Sequence, residues 1–235
     1  EPQAGTAELL NKMLKKAKTT TRKTISALPI ASVFSSIISV QRSAKREELE
    51  EAVNWQAKKL IPLPIEEMNV DWKLIAGTGA APDDKYVQVL LTGAAKTLIN
   101  KYVSLFNAAG LELLSLETEA LAMIRSLIGR DRSPTLLLDI GTLRTNILIV
   151  ENGIPFVSRS VAQGGINITK EMAGTLGMQE DQAESMKIDA ASMTSMYDGG
   201  FPKLFEKAMA PILGELAYST NLFLGQKSNQ EKRID

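Results

Sequence analysis

The sequence contains neither cysteine nor histidine, and these two absences exclude more kinds of chemistry than any other feature of its composition. Thiol nucleophiles, disulfide frameworks, zinc sites built on cysteine or histidine, haem attachment and serine–histidine–aspartate triads are all excluded. Carboxylates, lysines, hydroxyl groups and backbone amides remain for binding or catalysis. Oxygen ligands and backbone amides are the groups with which proteins usually bind Mg²⁺ and phosphate.

The chain also lacks an excess of charge and a long apolar run. Its 235 residues carry 27 Lys and Arg against 27 Asp and Glu, so no bulk charge favours nucleic acid as a partner. The longest weakly polar stretch, residues 28–40, contains Pro29 and is shorter than the roughly 20 apolar residues of a membrane span. The start at Glu1, without a signal peptide, indicates a fragment or processed chain, and the lack of cysteine is compatible with the cytoplasm.

Helix and strand patterns alternate along the chain, which indicates an α/β architecture, with a boundary near residues 130–134. The predicted helices are 6–18, 47–60, 95–109 and 118–128, and the predicted strands are 23–40, 70–76, 86–92, 113–116, 135–140, 146–150 and 155–161. The apolar run 135–140 is typical of a strand buried on both faces. A loop is predicted at 77–84, and the helical remainder should break at Gly174, Gly177, 197–200 and Pro211.

The first predicted helix and the residues after it form a basic segment in an otherwise neutral chain. Six cations lie close together there: Lys12, Lys15, Lys16, Lys18, Arg22 and Lys23. The plainer interpretation is a solvated helix face, and the alternative is contact with an anionic lipid surface.

The motif that begins at Asp139, with the sequence DIGTLRTN, lies between two predicted strands. A carboxylate at the end of a buried strand is costly unless a cation or several hydrogen bonds match its charge. Gly141 permits close approach to the backbone, and Thr142 and Thr145 supply hydroxyl groups. Together these residues suit a β-hairpin that holds phosphates, with Asp139 reaching Mg²⁺ through water. The plainer interpretation is an aspartate that caps its own turn.

Two later segments suit the same kind of ligand. Gly164 and Gly165 follow a strand and open a predicted helix, where free backbone amides can bind an anion. Glu184 and Lys187 are three residues apart and share one helical face. A tight strand-to-helix turn and an exposed ion pair are the plainer interpretations of these two features.

In this order and spacing, the three segments resemble the second half of the actin-like ATPase fold. Within that superfamily the chain is similar to the PilM family of type IV pilus assembly proteins, which are relatives of the cell-division protein FtsA. The likeness covers most of the chain and rests further on ALP at 27–29, ELEEAV at 48–53, LIPLPIEE at 60–67, VDW at 70–72, AGL at 109–111, LETEALA at 116–122, FVSRS at 156–160 and AESMK at 183–187.

The resemblance implies an α/β, actin-like (ribonuclease H-like) fold that is incomplete and has an FtsA-like inserted subdomain. Residues 1–24 would form a basic helix, 25–85 the inserted subdomain, 86–132 part of the first core subdomain, and 133–235 part of the second core with its helical subdomain. No earlier phosphate loop is recognisable before residue 25, and no late adenosine loop is recognisable at the end of the sequence.

The resemblance also implies a site for ATP and Mg²⁺ in the complete protein. Its residues would be Asp139, Gly141, Thr142 and Thr145 in the second phosphate loop, Gly164 and Gly165 beside the phosphates, and Glu184 and Lys187 at ribose and base. Glu119 stands where some relatives place a carboxylate that orients the attacking water. The plainer interpretation of Glu119 is a carboxylate at a helix N-terminus. Enzymatic activity is left open and is at most that of a weak ATPase.

For function, the resemblance implies a cytoplasmic scaffold, peripheral on the inner membrane through its partners. The expected partner is the short N-terminal tail of a PilN-type membrane protein, bound as an extended peptide in a groove between inserted subdomain and core. The candidate groove residues are Trp55, Leu60, Pro62 and Trp72, for which core and turn packing is the plainer interpretation. Other pilus platform proteins and self-association are further expectations. The alternative is an FtsA-like cell-division protein or another actin-like ATPase.

Overall fold

The computed structural model describes residues 2–75, 85–192, 203–226 and 232–234. The chain forms two compact units, residues 1–129 and 130–235, and they divide beside the polar segment where the sequence predicts a boundary. None of the described helices combines the length and the apolar content that a bilayer crossing requires.

The first unit has four α-helices and five strands among its described residues. In chain order they are α1 (Pro2–Lys16), β1 (Lys23–Leu28), β2 (Val33–Gln41), α2 (Arg46–Leu60), β3 (Met68–Leu74), β4 (Tyr86–Ala95), α3 (Lys96–Ala108), β5 (Glu112–Thr118) and α4 (Glu119–Met123). Strands β1 and β5 pair in parallel, whereas β2, β4 and β3 form an antiparallel sheet in that order.

Helix α2 packs on one face of the antiparallel sheet and closes a small hydrophobic core. Acidic residues occupy its first turn and lysines its last, the charge order that the helix dipole favours. Leu49, Val53 and Ala57 recur every four residues and form its buried face. They cluster with Val89 and Leu91 of the central strand β4. The sheet and the helix therefore share one core.

Strand pairing changes the limits predicted for the inserted subdomain. Four of the six residues of strand β1 lie inside the predicted range 25–85, but the strand pairs with β5, whereas β4 begins at Tyr86 and is the central strand of the antiparallel sheet. The antiparallel sheet with α2 therefore spans 33–95. Local patterns do not specify which distant strand is the partner, which explains the difference. That this sheet is the FtsA- and PilM-type insertion remains a prediction.

The first unit differs from the sequence prediction in two further places. The predicted strand 23–40 is two strands that belong to different sheets, with a 3₁₀ turn at Ile30–Ser32 between them. The predicted helix 118–128 is α-helical only to Met123 and continues as a π-helical turn over Ile124–Ile128. The loop predicted at 77–84 and the helix break predicted at 197–200 lie outside the described residues.

The second unit has three strands and three α-helices among its described residues. They are β6 (Thr135–Ile140), β7 (Thr145–Glu151), β8 (Ile154–Val161), α5 (Gly165–Leu176), α6 (Glu180–Ser192) and α7 (Lys203–Leu224). The strands form an antiparallel meander with β7 in the centre. Phe223 of α7 packs on Val157 of β8, while Met172, Ala183 and Ala208 join α5, α6 and α7.

Three predictions for this unit are wrong, each for a physical reason. Strand β6 is an edge strand with Leu138 and Ile140 exposed, and the strand buried along its whole length is β7, because burial depends on strand order. Gly174 lies within α5 and Pro211 within α7, since tertiary packing outweighs local helix propensity. Gly177 does end α5, in the left-handed conformation with φ 66°.

Truncation of Leu91 tests the shared core of the antiparallel sheet and α2. Leu91 is fully buried, so Leu91→Ala should lower the free energy of unfolding by about 2–5 kcal/mol. The matched control Leu74→Ala removes the same atoms from β3, where the side chain is 45% exposed, and should change it by less than about 0.5 kcal/mol. Urea unfolding monitored by tryptophan fluorescence measures both, and equal losses would contradict this core.

Candidate functional site

An open cleft of about 640 Å³ lies in the second unit. The hairpin between β6 and β7, the start of α5 and one face of α6 line it. Five of the eight predicted nucleotide-binding residues line this cleft together: Gly141, Thr142, Gly165, Glu184 and Lys187. The hairpin motif and the two later segments, which are distant in sequence, are therefore adjacent in space.

The turn before α5 packs with its backbone directly against the hairpin. A Cβ atom on Gly164 would lie 2.6 Å from the carbonyl oxygens of Gly141 and Thr142. The amide of Gly165 donates to the carbonyl of Gly141 at 2.9 Å. Gly164 has extended backbone with φ −150°, so glycine is required here for close approach and not for its conformational freedom.

The amides at the start of α5 are engaged within the protein, which corrects the prediction that they are free for an anion. Gly164 donates to the side-chain oxygen of Asn167 at 3.0 Å. Ile166 donates to the carbonyl of Thr142 at 3.0 Å, and Asn167 to that of Gly164 at 3.0 Å. These bonds satisfy the helix terminus and hold the hairpin in place.

Two other predicted residues, Thr145 and Asp139, lie outside the lining of the cleft. Thr145 is fully buried, and its hydroxyl donates to the carbonyl of Gln163 at 2.7 Å, so it links β7 to the segment after β8. Asp139 is half-buried, and one carboxylate oxygen accepts from the amide group of Asn146 at 3.0 Å. Asn146, which sequence reasoning missed, stands opposite Asp139 in the strand register and orients its carboxylate.

The end of the hairpin offers hydrogen-bond donors to a ligand. Within the described ranges, the amides of Thr142, Leu143 and Arg144 donate to no protein group. All three residues are exposed, and the amide of Gly141 closes the turn by donating to the carbonyl of Arg144 at 3.0 Å. Consecutive unengaged amides are the donors with which loops bind phosphate. The hairpin, and not the start of α5, therefore suits a phosphate group.

Lys187 is engaged entirely within the protein. Its Nζ donates to the carbonyl of Gly165 at 3.1 Å, to the hydroxyl of Thr169 at 2.9 Å and to the carboxylate of Glu184 at 2.6 Å. An ammonium group has three protons to donate, and these bonds use all of them. Lys187 therefore links α6 to the start of α5, and its contact with ribose or base remains a prediction.

Thr169, which was not predicted as a site residue, completes this link. Its buried hydroxyl lies within hydrogen-bond distance of the Glu184 carboxylate and of the Gly165 carbonyl, and its single proton serves one of them at a time. The hydrogen bonds from Lys187 and then Thr169 hold the pKa of Glu184 below its ordinary value of 4.5. The spacing of Gly165 and Thr169, one helical turn, is the only sign of this arrangement in the sequence.

Carboxylates dominate the wall of the cleft that α6 provides. Glu180, Asp181 and Glu184 line it, and Lys187 is the single cation among the described lining residues. Like charge repels phosphates, so this wall suits hydroxyl or amine donors instead. The hairpin, in contrast, offers backbone amides, which attract phosphates. The cleft therefore suits a ligand that has phosphates at one end and hydroxyl groups at the other.

Glu119 lies in the first unit, at the start of α4. One of its carboxylate oxygens accepts the backbone amide of Ile30 at 3.1 Å and so links α4 to the turn after β1. Burial, and secondarily the charge of Glu119, raises the pKa of Tyr102. This placement gives Glu119 a structural contact, and its catalytic role remains a prediction.

A second cleft, of about 800 Å³, lies within the first unit and is lined by residues of the antiparallel sheet and of β5. Val70 and Trp72 of β3 pack against the α2 core. Because side chains alternate along a strand, Asn69 and Asp71 face the opposite side, where they line the cleft with Thr92 of β4.

None of the four predicted groove residues lines this cleft. Trp72 packs on the α2 core, with the guanidinium carbon of Arg46 5.7 Å from its ring centre. Trp55 is 59% exposed and belongs to α2, and Leu60 and Pro62 are exposed at the end of that helix. The alternation along β3, which places Trp72 on the same face as Val70, could have revealed this from the sequence.

Comparison with known proteins agrees with this fold. A family model described as "Type IV pilus assembly protein PilM" matches residues 2–235. Cell division protein FtsA of Bacillus subtilis (strain 168) is 25% identical over 166 residues, which cover 64% of this chain and 38% of FtsA. A solved structure of a PilM–PilN type IV pilus biogenesis complex matches with TM-score 0.72 and 24% identity, over 97% of this chain and 65% of that one. The chain thus spans less than two thirds of both relatives, and the predicted actin-like α/β fold is confirmed.

The close packing of Gly164 is testable by a single added carbon. In Gly164→Ala the new Cβ meets backbone oxygens that cannot move aside, so the free energy of unfolding should fall by about 1–3 kcal/mol or more. In the control Gly174→Ala the Cβ meets nothing within 4 Å, and a helix interior should gain about 0.5–1 kcal/mol. Chemical unfolding measures both variants, and a stabilised Gly164→Ala would refute the close approach.

Removal of the Thr169 hydroxyl should change how Glu184 titrates. Thr169→Val deletes one of the hydrogen bonds that lower this pKa, so the carboxylate should titrate closer to 4.5, whereas Thr169→Ser should keep the lowered value. Because the pKa of Glu184 is lower in the folded protein than its ordinary value of 4.5, its ionised carboxylate stabilises the fold above pH 4.5. This stability is lost as the pH falls through the lowered pKa, so acid should destabilise the wild type more than Thr169→Val. Carboxyl NMR titration measures this, and identical curves for the three proteins would contradict the link.

Proposed function

Because the chain belongs to the type IV pilus assembly protein PilM family, we propose that it takes part in pilus assembly as a cytoplasmic scaffold at the inner membrane. In this role it binds the cytoplasmic tail of a PilN-type membrane protein, and that partner supplies the attachment to the membrane. The family match over residues 2–235 and the fold match to a PilM that was solved in complex with PilN support the proposal.

The cleft of the first unit is the observation on which the proposal mainly rests. Apolar side chains of Ile99, Leu116 and Leu121 line it together with polar Asn69 and Asp71, a mixture that suits a peptide with both kinds of side chain. In the described antiparallel sheet β3 is an edge strand. Edge strands present backbone groups to which an extended peptide can add as a further strand. The PilN-type tail would therefore lie along β3.

The cleft of the second unit is proposed as the ATP site of the complete protein. The unengaged amide of Thr142, which lines the cleft, would hold the phosphates together with the amides of Leu143 and Arg144 at the end of the hairpin, and Glu184 would accept ribose hydroxyls. Gly164, Gly165, Thr145 and Lys187 would act by holding the hairpin, α5 and α6 in place.

Asp139, which lies outside the lining of the cleft, is the residue that would hold Mg²⁺ beside it. In the described part of the chain no three acidic side chains gather into a metal site, and Asn146 orients the Asp139 carboxylate. Mg²⁺ commonly keeps several waters and takes one or two carboxylates together with nucleotide phosphates. When bound it would neutralise phosphate charge. A role of Glu119 in positioning water for hydrolysis remains a prediction, and in the first unit its carboxylate accepts the amide of Ile30.

Binding of a labelled PilN-type tail tests the scaffold function. Fluorescence anisotropy of the peptide against this chain, with and without Mg-ATP, should show saturable micromolar binding that does not depend on ATP. Binding that requires ATP would instead show that the nucleotide site controls the groove. No binding to a sample that is folded by circular dichroism would contradict the proposal and favour the FtsA-like alternative, for which the 25% identity to FtsA is the supporting observation.

A pair of tryptophan variants on β3 locates the tail. Asn69→Trp places a large side chain in the cleft and should weaken binding at least about tenfold, since it occupies the space of the peptide. Lys73→Trp adds the same side chain on the same face of β3 but outside the cleft lining, and should leave the affinity unchanged. Equal effects of the two variants would place the tail elsewhere.

A further inference from the structure

Positive charge is concentrated at one place in a chain that is neutral as a whole. Residues 2–23 contain six cations and one carboxylate, Glu8, so the rest of the chain is net acidic. The six cations, which together are called the basic surface, are Lys12, Lys15, Lys16, Lys18, Arg22 and Lys23. All six are exposed, and they lie on α1, on the segment that joins it to β1 and at the first residue of β1.

Most of the basic surface is not neutralised by the protein. Glu8 pairs with Lys12 at 2.9 Å, and Glu112 stands opposite Lys23 in the strand register. No described carboxylate lies within ion-pair distance of the other four cations, Lys15, Lys16, Lys18 and Arg22. Four charges are therefore available to an anionic partner.

The two faces of α1 differ in what they contact. One face packs into a small core with α3 through Ala7, Leu10 and Leu14. The opposite face carries Leu9 and Met13, which are 58% and 60% exposed, with Lys12 and Lys16 beside them at helical spacing. Apolar side chains flanked by lysines are the arrangement with which a helix lies in the interface of a bilayer.

A cleft of about 560 Å³ opens where α1 ends. Lys15 and Arg22 line it together with the hydroxyl-bearing residues Thr19 and Thr21. Cationic groups combined with hydroxyl donors are typical of sites that bind phosphate oxygens. The cleft therefore suits a lipid headgroup.

Lys18 lies in the turn that follows α1 and has the left-handed conformation, with φ 54°. Two hydrogen bonds define this turn. The amide of Lys18 donates to the carbonyl of Lys15 at 3.1 Å, and the amide of Thr19 donates to the carbonyl of Leu14 at 3.1 Å. Glycine is the usual residue at such a position, because a Cβ atom is unfavourable there. Lysine at this position lowers the stability of the fold but adds a cation to the basic surface. A residue that costs stability in this way is typical of a binding site.

From these observations we infer that the basic surface binds the anionic surface of a lipid bilayer directly. Nucleic acid is the less suitable partner, because residues 2–28 contain no aromatic side chain on which a base could stack. It would also leave the exposed apolar side chains of Leu9 and Met13 without an apolar environment. The contact is independent of the proposed tail site. Two weak attachments to one membrane reinforce each other without any further contact.

Vesicle flotation of the whole chain tests this inference. The chain should float with vesicles of equal parts phosphatidylglycerol and phosphatidylcholine, and not with phosphatidylcholine alone. The triple variant Lys15→Gln, Lys16→Gln and Lys18→Gln should bind about 100-fold more weakly, at about fivefold per lysine. The control Lys58→Gln, Lys73→Gln and Lys170→Gln makes the same charge change at exposed lysines elsewhere, and should bind like wild type.

Lys18→Gly separates the lipid contact from folding. Glycine relieves the left-handed position, so the melting temperature should rise by about 2–4 °C, while vesicle affinity should fall about fivefold with the lost charge. Equal binding by the two triple variants would overturn the inference. Displacement by millimolar inorganic phosphate, or tighter binding to an oligonucleotide than to vesicles, would also overturn it.

Discussion

The second unit depends on the contact between the backbone of Gly164 and the hairpin of β6 and β7, which lie too close together for any side chain between them. This contact places the first amides of α5 on the carbonyls of the hairpin. It also sets where Thr169 and the carbonyl of Gly165 stand, and these two groups receive Lys187 from α6. One glycine thus determines the relative placement of hairpin, α5 and α6, which together make the cleft.

Within that cleft, groups that hold the structure and groups that remain for a ligand are separate. Internal hydrogen bonds engage the amides at the start of α5, the hydroxyl of Thr145 and the ammonium of Lys187. Among the residues that line the cleft, the amide of Thr142 and the carboxylates of α6 remain for a ligand. Because one set attracts phosphates and the other attracts hydroxyl groups, the arrangement supports the proposed nucleotide site.

In the first unit, the two faces of the antiparallel sheet differ in what they contact. The face toward α2 is a closed hydrophobic core, and the other face opens into a cleft. Alternation along β3 decides which side chain serves which face, so Trp72 stabilises the fold while Asn69 and Asp71 remain for a partner. Membership of the PilM family and the cleft together support the proposal that this unit binds a peptide.

The sequence by itself determined most of the helices and strands, the unit boundary near residue 130 and the hairpin motif, because helix and strand periodicity, turn glycines and the order of short motifs are local properties. It also sufficed to identify the family. Only the tertiary structure decided that β7 and not β6 is buried, that β4 and not β1 belongs to the antiparallel sheet, and that Thr169 and Asn146 position other site residues. Strand order, burial and hydrogen-bond partners depend on groups that are far away in the sequence. A residue type that suits a ligand can therefore be engaged within the protein, as Lys187 is through its three internal hydrogen bonds.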